Sequence, residues 1–141
     1  MIQRVQTIWL LLASACAFLT LRLSFFSGNK LVNNVKQFES LTAATANGNL
    51  VLLILTVAVA IAALVTIFLY KDRKMQMRIC LAVAAVSIVN IVLFFSETKK
   101  FVEGTFGLTA PLVFAVPLFL LLAVRGIYKD EKLVKSTDRL R

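Results

Sequence analysis

Residues 50–70 read LVLLILTVAVAIAALVTIFLY, which is 21 consecutive positions without a charged side chain. An α-helix needs about 20 apolar residues to cross the hydrocarbon core of a bilayer. The apolar residues of this run fall on every face of a helix and do not alternate as they would in a barrel strand. The run therefore predicts a membrane-spanning helix.

Three further apolar runs lie on either side of this one, at 7–27, 79–96 and 106–124. The 141-residue chain is 60% hydrophobic and 16% charged, with a mean hydropathy of +0.86. Soluble domains are about 45–50% apolar and about 25% charged. The composition excludes a soluble enzyme of typical amino-acid composition. We expect an all-α, integral membrane four-helix bundle over 1–127 and a basic tail over 128–141.

The distribution of basic residues predicts the orientation. Sixteen Lys and Arg oppose seven Asp and Glu, for a net charge of +9. Eleven of the sixteen precede the first run, lie between the second and third, or follow the fourth. The other five are Arg22, near the far end of the first run, and four lysines in the other two loops. Because cytoplasmic loops are enriched in Lys and Arg, both termini should be cytoplasmic in a bacterial inner membrane.

The longest connection, 28–49, has turn-forming Gly-Asn pairs at 28–29 and 48–49. Between them apolar residues recur every three or four positions, at Leu31, Val35, Phe38 and Leu41. This spacing predicts a short amphipathic helix over 31–45 that lies on the membrane interface.

The first run also resembles a signal peptide, and residues 12–16 approximate a lipoprotein cleavage box ending at Cys16. Ala13 stands where such boxes prefer a larger aliphatic residue, and the run stays apolar beyond Cys16. We therefore expect an uncleaved span.

The two halves of the chain contain similar short sequence motifs in the same order. A Phe-Phe-Ser triplet ends the first run at 25–27 and the third at 94–96, and Tyr-Lys-Asp follows the second at 70–72 and the fourth at 128–130. A duplicated helical hairpin would produce this order. Convergence also would, because aromatic and basic residues collect at membrane interfaces in any case.

Asn90 is the most unusual residue within the runs, and Ser87 lies about one helical turn before it. A buried amide in a membrane needs a hydrogen-bond partner. One reading makes these residues a contact for a substrate or an ion. The reading that we favour is a link between helices, with Thr56, Thr66 or Thr20 as the partner. No carboxylate lies within the four predicted spans.

The two cysteines, Cys16 and Cys80, should lie about 12 Å apart in depth, so we expect no disulfide. The chain has no histidine, which is the commonest metal ligand and general base at neutral pH. We expect no catalytic residue, no cofactor and no metal. Small residues four apart, such as Ala58 and Ala62, indicate close helix packing.

The tail is the region that we expect to bind something. Apolar Leu133, Val134 and Leu140 are interleaved with four basic residues. Such a pattern suits docking on anionic lipid or on a partner protein. It equally suits a solvated tail that only fixes the topology. The candidate surface consists of Lys132, Lys135, Arg139 and Arg141.

Residues 1–12 (MIQRVQTIWLLL) and 129–141 (KDEKLVKSTDRLR) resemble the two ends of a family of short, four-span Bacteroidetes inner-membrane proteins of unknown function. The likeness in length and in number of spans covers the whole chain. The resemblance implies a multi-pass inner-membrane protein. It supplies no catalytic or binding residue, because the family has no assigned activity.

These observations favour a structural or interaction protein, an accessory or scaffold, whose partners are membrane lipids and another membrane protein or a second copy of the chain. The alternative is a small transporter or channel subunit with a polar site near Asn90. An enzyme is not expected. Nucleic acid is not an expected partner, because no basic stretch is interleaved with stacking aromatic residues.

Overall fold

Four helices make up most of the protein. The computed structural model describes the backbone of residues 2–44 and 50–138 and the side chains of residues 5–44 and 50–137. All four helices are long and apolar enough to cross a membrane. They are α1 (Ile2–Arg22), α2 (Leu50–Phe68), α3 (Arg73–Thr98) and α4 (Ala110–Asp138).

The helices form a ring in chain order, in which α1 packs against α2 and α4, and α3 packs against the same two helices. The short connection between α2 and α3 favours an antiparallel arrangement of these two helices. The centre is built largely from alanine, which lets neighbouring backbones approach closely. Ser14 of α1 reaches α2 directly, where its hydroxyl donates to the carbonyl of Ala60 over 3.3 Å. Buried alanines of the core are Ala13, Ala17, Ala60, Ala63, Ala84 and Ala123.

A three-stranded antiparallel sheet closes one end of the bundle, which we name the sheet end. Its strands are β1 (Phe26–Val32), β2 (Val35–Leu41) and β3 (Glu103–Phe106), in the order β2-β1-β3. The fold is therefore not purely helical, and the prediction of an amphipathic helix over 31–45 is wrong as far as residue 44. The predicted turn at 48–49 lies outside the described residues.

The turn between β1 and β2 explains why a hairpin forms here. Asn33 and Asn34 have φ angles of 52° and 63°. A two-residue type I′ turn needs positive φ at both positions, and asparagine tolerates that conformation better than most residues. Val32 and Val35 face each other across the turn. The strand β3, which lies in the connection between α3 and α4, pairs with the other edge of β1.

The sheet packs onto the helices through aromatic rings. Phe25 is 1% exposed, and its ring centroid lies 4.7 Å from that of Phe94 and 5.9 Å from that of Phe106. The strands β1 and β3 approach closely at Gly28, where a Cβ atom would collide with the backbone oxygen of Glu103. The sheet is thus held by ring packing and by a contact that only glycine permits.

The helix ends differ from the predicted spans. The first helix ends at Arg22, because residues 23–27 leave the bundle to enter the sheet, and α4 begins at Ala110 rather than at 106. At the other end α3 begins at Arg73, ahead of the predicted 79. The tail continues α4 without a break as far as Asp138.

The similar sequence motifs of the two halves lie in different secondary-structure elements. Residues 25–27 lead into and begin β1, whereas 94–96 lie inside α3. Tyr70 lies in the turn after α2, whereas Tyr128 lies inside α4. These motifs therefore do not occupy equivalent positions, and they give no support to duplication.

Candidate functional site

Asn90 lies inside the bundle and joins two helices. It is 6% exposed, and its side-chain Nδ2 donates to Thr56 Oγ1 of α2 over 2.9 Å. Ser87 lies one turn away, also buried, but its hydroxyl donates to the carbonyl of Ala84 within α3 over 2.7 Å. Of the two residues singled out from the sequence, Asn90 thus makes the interhelical bond.

A narrow cavity lies beside this pair. Its volume is about 10 Å³, which is space for about one water molecule. Its lining residues come from all four helices: Ala17, Thr20, Thr56, Val59, Ser87, Asn90, Val113 and Val116.

The cavity presents hydrogen-bond acceptors. Thr20 and Thr56, like Ser87, donate their hydroxyl protons to carbonyls of their own helices, over 2.7 Å each. Asn90 Oδ1 is buried and has no hydrogen-bond partner among the described residues. A site of this size and polarity accepts one small hydrogen-bond donor, and it has no room for a metabolite.

The opposite end of the bundle, which we name the turn end, carries the α2–α3 turn (69–72). Arg73 Nη2 lies 3.5 Å from Asp130 Oδ2, whose side chain is 12% exposed. That oxygen makes no hydrogen bond, so its contact with Arg73 is electrostatic. Gln76 Nε2 donates to the carbonyl of Thr66 over 3.0 Å and joins α3 to α2. These contacts hold three of the four helices together at the turn end.

An open groove of about 410 Å³ lies between the α2–α3 turn and the last turns of α4. We name it the turn groove. Most of its lining side chains are charged, and one of them, Lys135, forms an ion pair with Glu131 at 2.8 Å. The lining residues are Tyr70, Lys71, Asp72, Arg73, Lys74, Glu131, Val134 and Lys135.

The predicted tail surface is described in part. Lys132 and Lys135 lie exposed on α4, and Lys135 is the member that reaches the turn groove. Arg139 and Arg141 lie outside the described residues. The sequence therefore identified one residue of the groove and missed the contribution of the α2–α3 turn, because the packing of α4 against that turn is a tertiary contact.

Two carboxylates are buried that the sequence did not predict to be buried. Glu97 lies within α3 at the sheet end, where its side chain is 5% exposed and contacts Lys100 Nζ at 2.8 Å. Asp130 lies at the turn end. Each stands just beyond a predicted span, and each has a cation within reach. Charged residues at the ends of apolar runs are ordinarily solvated, so the sequence offers no signal that these two are covered.

The whole chain matches one protein family. The family model covers residues 2–140. The chain belongs to the DUF4293 family. Its description is a domain of unknown function, which agrees with the resemblance seen at the two ends of the sequence and assigns no functional residue. No curated protein and no solved structure matches the chain.

The cysteines of this DUF4293 chain are both free and buried. Cys80 Sγ donates to the carbonyl of Leu120 over 3.3 Å, which is a packing contact between α3 and α4. Across residues 2–44 and 50–138, no three His, Cys, Asp or Glu side chains come together in a group that would suit a metal ion.

Proposed function

We propose that this DUF4293 protein is an integral protein of the bacterial inner membrane. The observation that carries this proposal is the outward-facing surface of the helices. Between 33% and 39% of the residues in each apolar span are buried inside the protein, and the others are partly or fully exposed. Ile8, Ile54, Ile88 and Leu118, one from each helix, all expose more than half of their surface. Water would solvate this surface poorly on every side of the bundle, whereas lipid would cover it.

The proposed orientation puts the turn end in the cytoplasm. Lys71, Arg73, Lys74 and Arg78 lie at that end together with the basic residues of α4 from Arg125 onward. The sheet end carries fewer basic residues. Because the positive-inside rule follows the Lys and Arg count, both termini are assigned to the cytoplasm and the sheet to the opposite side.

Reporter fusions test the orientation. Reporters placed after Asn34, Lys74, Lys100 and Arg141 should read outside, inside, outside and inside. Asn34 and Lys100 belong to the sheet end, and Lys74 belongs to the turn end. A C-terminal reporter that reads outside would overturn the assignment, and a chain recovered from the soluble fraction would overturn membrane insertion itself.

Within the membrane we propose an accessory or scaffold role rather than an enzymatic one. The cavity at Asn90 accommodates about one water molecule, so this cavity is too small to hold a substrate. An apolar groove of about 140 Å³ instead opens between α2 and α3, toward the lipid. We name it the α2–α3 groove, and it is lined by Ala58, Val59, Ala62, Ala82, Val83 and Val86.

Small residues on a lipid-facing groove allow close approach by a further transmembrane helix. That helix would belong to another membrane protein or to a second copy of the chain. Nucleic acid and a soluble cofactor have no place in this proposal. The four basic residues of the tail would add contacts to anionic lipid or to the same partner.

Site-specific crosslinking in native membranes tests the interaction role. A photoreactive residue at Ala58 or Ala82 should give an adduct of one fixed mass, either twice that of the chain or that of the chain plus one defined partner. Leu118 on α4, which is 56% exposed, is the matched lipid-facing control and should give none. Equal adducts from all three positions would reject a specific groove contact.

The unpartnered Asn90 Oδ1 favours one second candidate, a small transporter or channel subunit. Such a protein would have to open the bundle around Asn90. In a chain with both native cysteines replaced by alanine, a Ser87→Cys side chain would then react with a water-soluble thiol reagent. The scaffold proposal predicts no reaction at this position, because Ser87 is buried in the closed bundle.

A further inference from the structure

The turn groove has a charge balance that suits one small anion. Arg73 is paired with Asp130, and Lys135 is paired with Glu131. Lys71 and Lys74 are exposed and form no ion pair with any residue that the structure describes. Asp72 offsets one of these two charges, which leaves the groove with a net charge of about +1.

The position of the groove along the bilayer normal favours a phospholipid phosphate as the anion. The 26-residue helix α3 is about 39 Å long at 1.5 Å per residue, and its first residue is Arg73 at the rim of the groove. The hydrocarbon core of a bilayer is about 30 Å thick. With the middle of α3 at the bilayer centre, the groove lies about 4 Å beyond the hydrocarbon, where phospholipid phosphates are found.

The groove also has two lining residues with apolar surface, Tyr70 and Val134. Tyr70, which is 57% exposed, stands where α2 leaves the apolar layer, and Val134 lies on the facing side of the groove. Tyrosine is enriched at membrane interfaces because its ring is apolar and its hydroxyl is polar. If a lipid headgroup lay at Lys71 and Lys74, the rest of the lipid would therefore run past apolar surface of the protein.

We propose that the turn groove binds the headgroup of one anionic phospholipid, with the phosphodiester between Lys71 and Lys74. This inference rests on the proposed membrane insertion. The two lysines supply the charge attraction, and the ion pairs of Arg73 and Lys135 hold the walls of the groove in place. One negative charge on the phosphodiester matches the net charge of the groove.

Native mass spectrometry of the full chain in detergent micelles tests the proposal. Phosphatidylglycerol is the anionic probe, and phosphatidylcholine is the zwitterionic one. The wild-type chain should bind a first phosphatidylglycerol more tightly than a second one and more tightly than phosphatidylcholine. Each lysine near an anionic headgroup contributes about fivefold in affinity, so Lys71→Gln/Lys74→Gln should weaken the first site about 25-fold.

The charge-matched control is Arg125→Gln/Lys129→Gln. Both residues are exposed on α4 near the same end, and neither lines the groove or belongs to the tail surface. The control should change the first site less than about threefold. Equal weakening in the two double variants, or no weakening in either, would overturn the proposal in favour of diffuse attraction to the basic surface. Unchanged thermal unfolding of both variants excludes loss of fold as the cause.

Inorganic phosphate distinguishes a lipid site from a site for a free anion. Millimolar phosphate should leave the first phosphatidylglycerol bound, because the apolar wall contributes only to the lipid. Displacement of the lipid by phosphate at that concentration would overturn the lipid assignment. The outcome is separable from the membrane proposal, since a soluble chain or an inverted reporter pattern refutes insertion or orientation without involving Lys71 or Lys74.

Discussion

The two ends of the bundle are closed in different ways. At the sheet end, a three-stranded sheet covers the helices, the ring of Phe25 is buried among other phenylalanines, and the carboxylate of Glu97 has a partner in Lys100. At the turn end, the α2–α3 connection is short, and beside it an open groove carries two lysines that form no ion pair with any described residue. Packing therefore stabilises one end, and charge is left available for binding at the other.

The largest effect should follow from Phe25→Ala at the sheet end. This ring is 1% exposed, so its removal should lower the free energy of unfolding by about 3–5 kcal/mol. Phe38→Ala is the matched control in the same sheet. Phe38 is 76% exposed, and its loss should cost less than about 0.5 kcal/mol. Chemical unfolding of the reconstituted chain measures both, and similar losses would show that ring packing does not close the sheet end.

Gly28→Ala should give the next largest effect. The added methyl would meet the backbone of β3, which cannot move away as a side chain can, and the loss should be about 2 kcal/mol. Ser27→Ala, at the neighbouring position of β1, should change the stability by less than about 0.5 kcal/mol. A fully stable Gly28→Ala chain would mean that β1 and β3 do not pair in this register.

At the turn end, Arg73→Met should lower the stability by about 1–2 kcal/mol, because it leaves the covered carboxylate of Asp130 without its cation. The estimate is kept small because the Arg73 side chain is 28% exposed and water screens the pair. Lys135→Met removes the ion pair with Glu131, whose lysine is exposed, and should cost less than Arg73→Met does. Equal costs in thermal unfolding would show that Asp130 is solvated in the folded chain.

The smallest effect concerns the interior between the two ends. A double-mutant cycle of Asn90→Leu and Thr56→Val should give a coupling of about 0.6 kcal/mol, as is typical for hydrogen bonds between transmembrane helices. Ser87→Ala combined with Thr56→Val is the control. It should show no coupling, because the Ser87 hydroxyl donates within its own helix. Strict additivity for Asn90 and Thr56 would leave the buried amide without an energetic role.

The candidate sites differ in how far the sequence could predict them. Asn90 stands out within an apolar run, so its burial and its need for a partner follow from the chemistry of a membrane. Which of the three threonines it contacts depends on how the helices rotate against one another. The groove residues Lys71 and Lys74 are visible only as a basic loop, and their distance from Lys135 depends on the long continuation of α4.

The sheet was missed for a different reason. The apolar spacing at Leu31, Val35, Phe38 and Leu41 fits a helix, and the Asn33-Asn34 turn is a weaker hairpin signal than Asn-Gly. A two-stranded hairpin is marginally stable by itself, and here it depends on β3, which lies about 70 residues further along the chain. No local pattern reports such a distant partner.

The sequence by itself determined the number of long apolar helices, because the length and composition of each run are local properties. It also determined the uneven distribution of basic residues between the two ends. Only the tertiary structure decided that the loops at one end pair into a sheet, that Glu97 and Asp130 are covered, and that Lys135 faces the α2–α3 turn. Each of these depends on contacts between segments far apart in the chain, and the energy of such contacts is set by packing rather than by local residue preference.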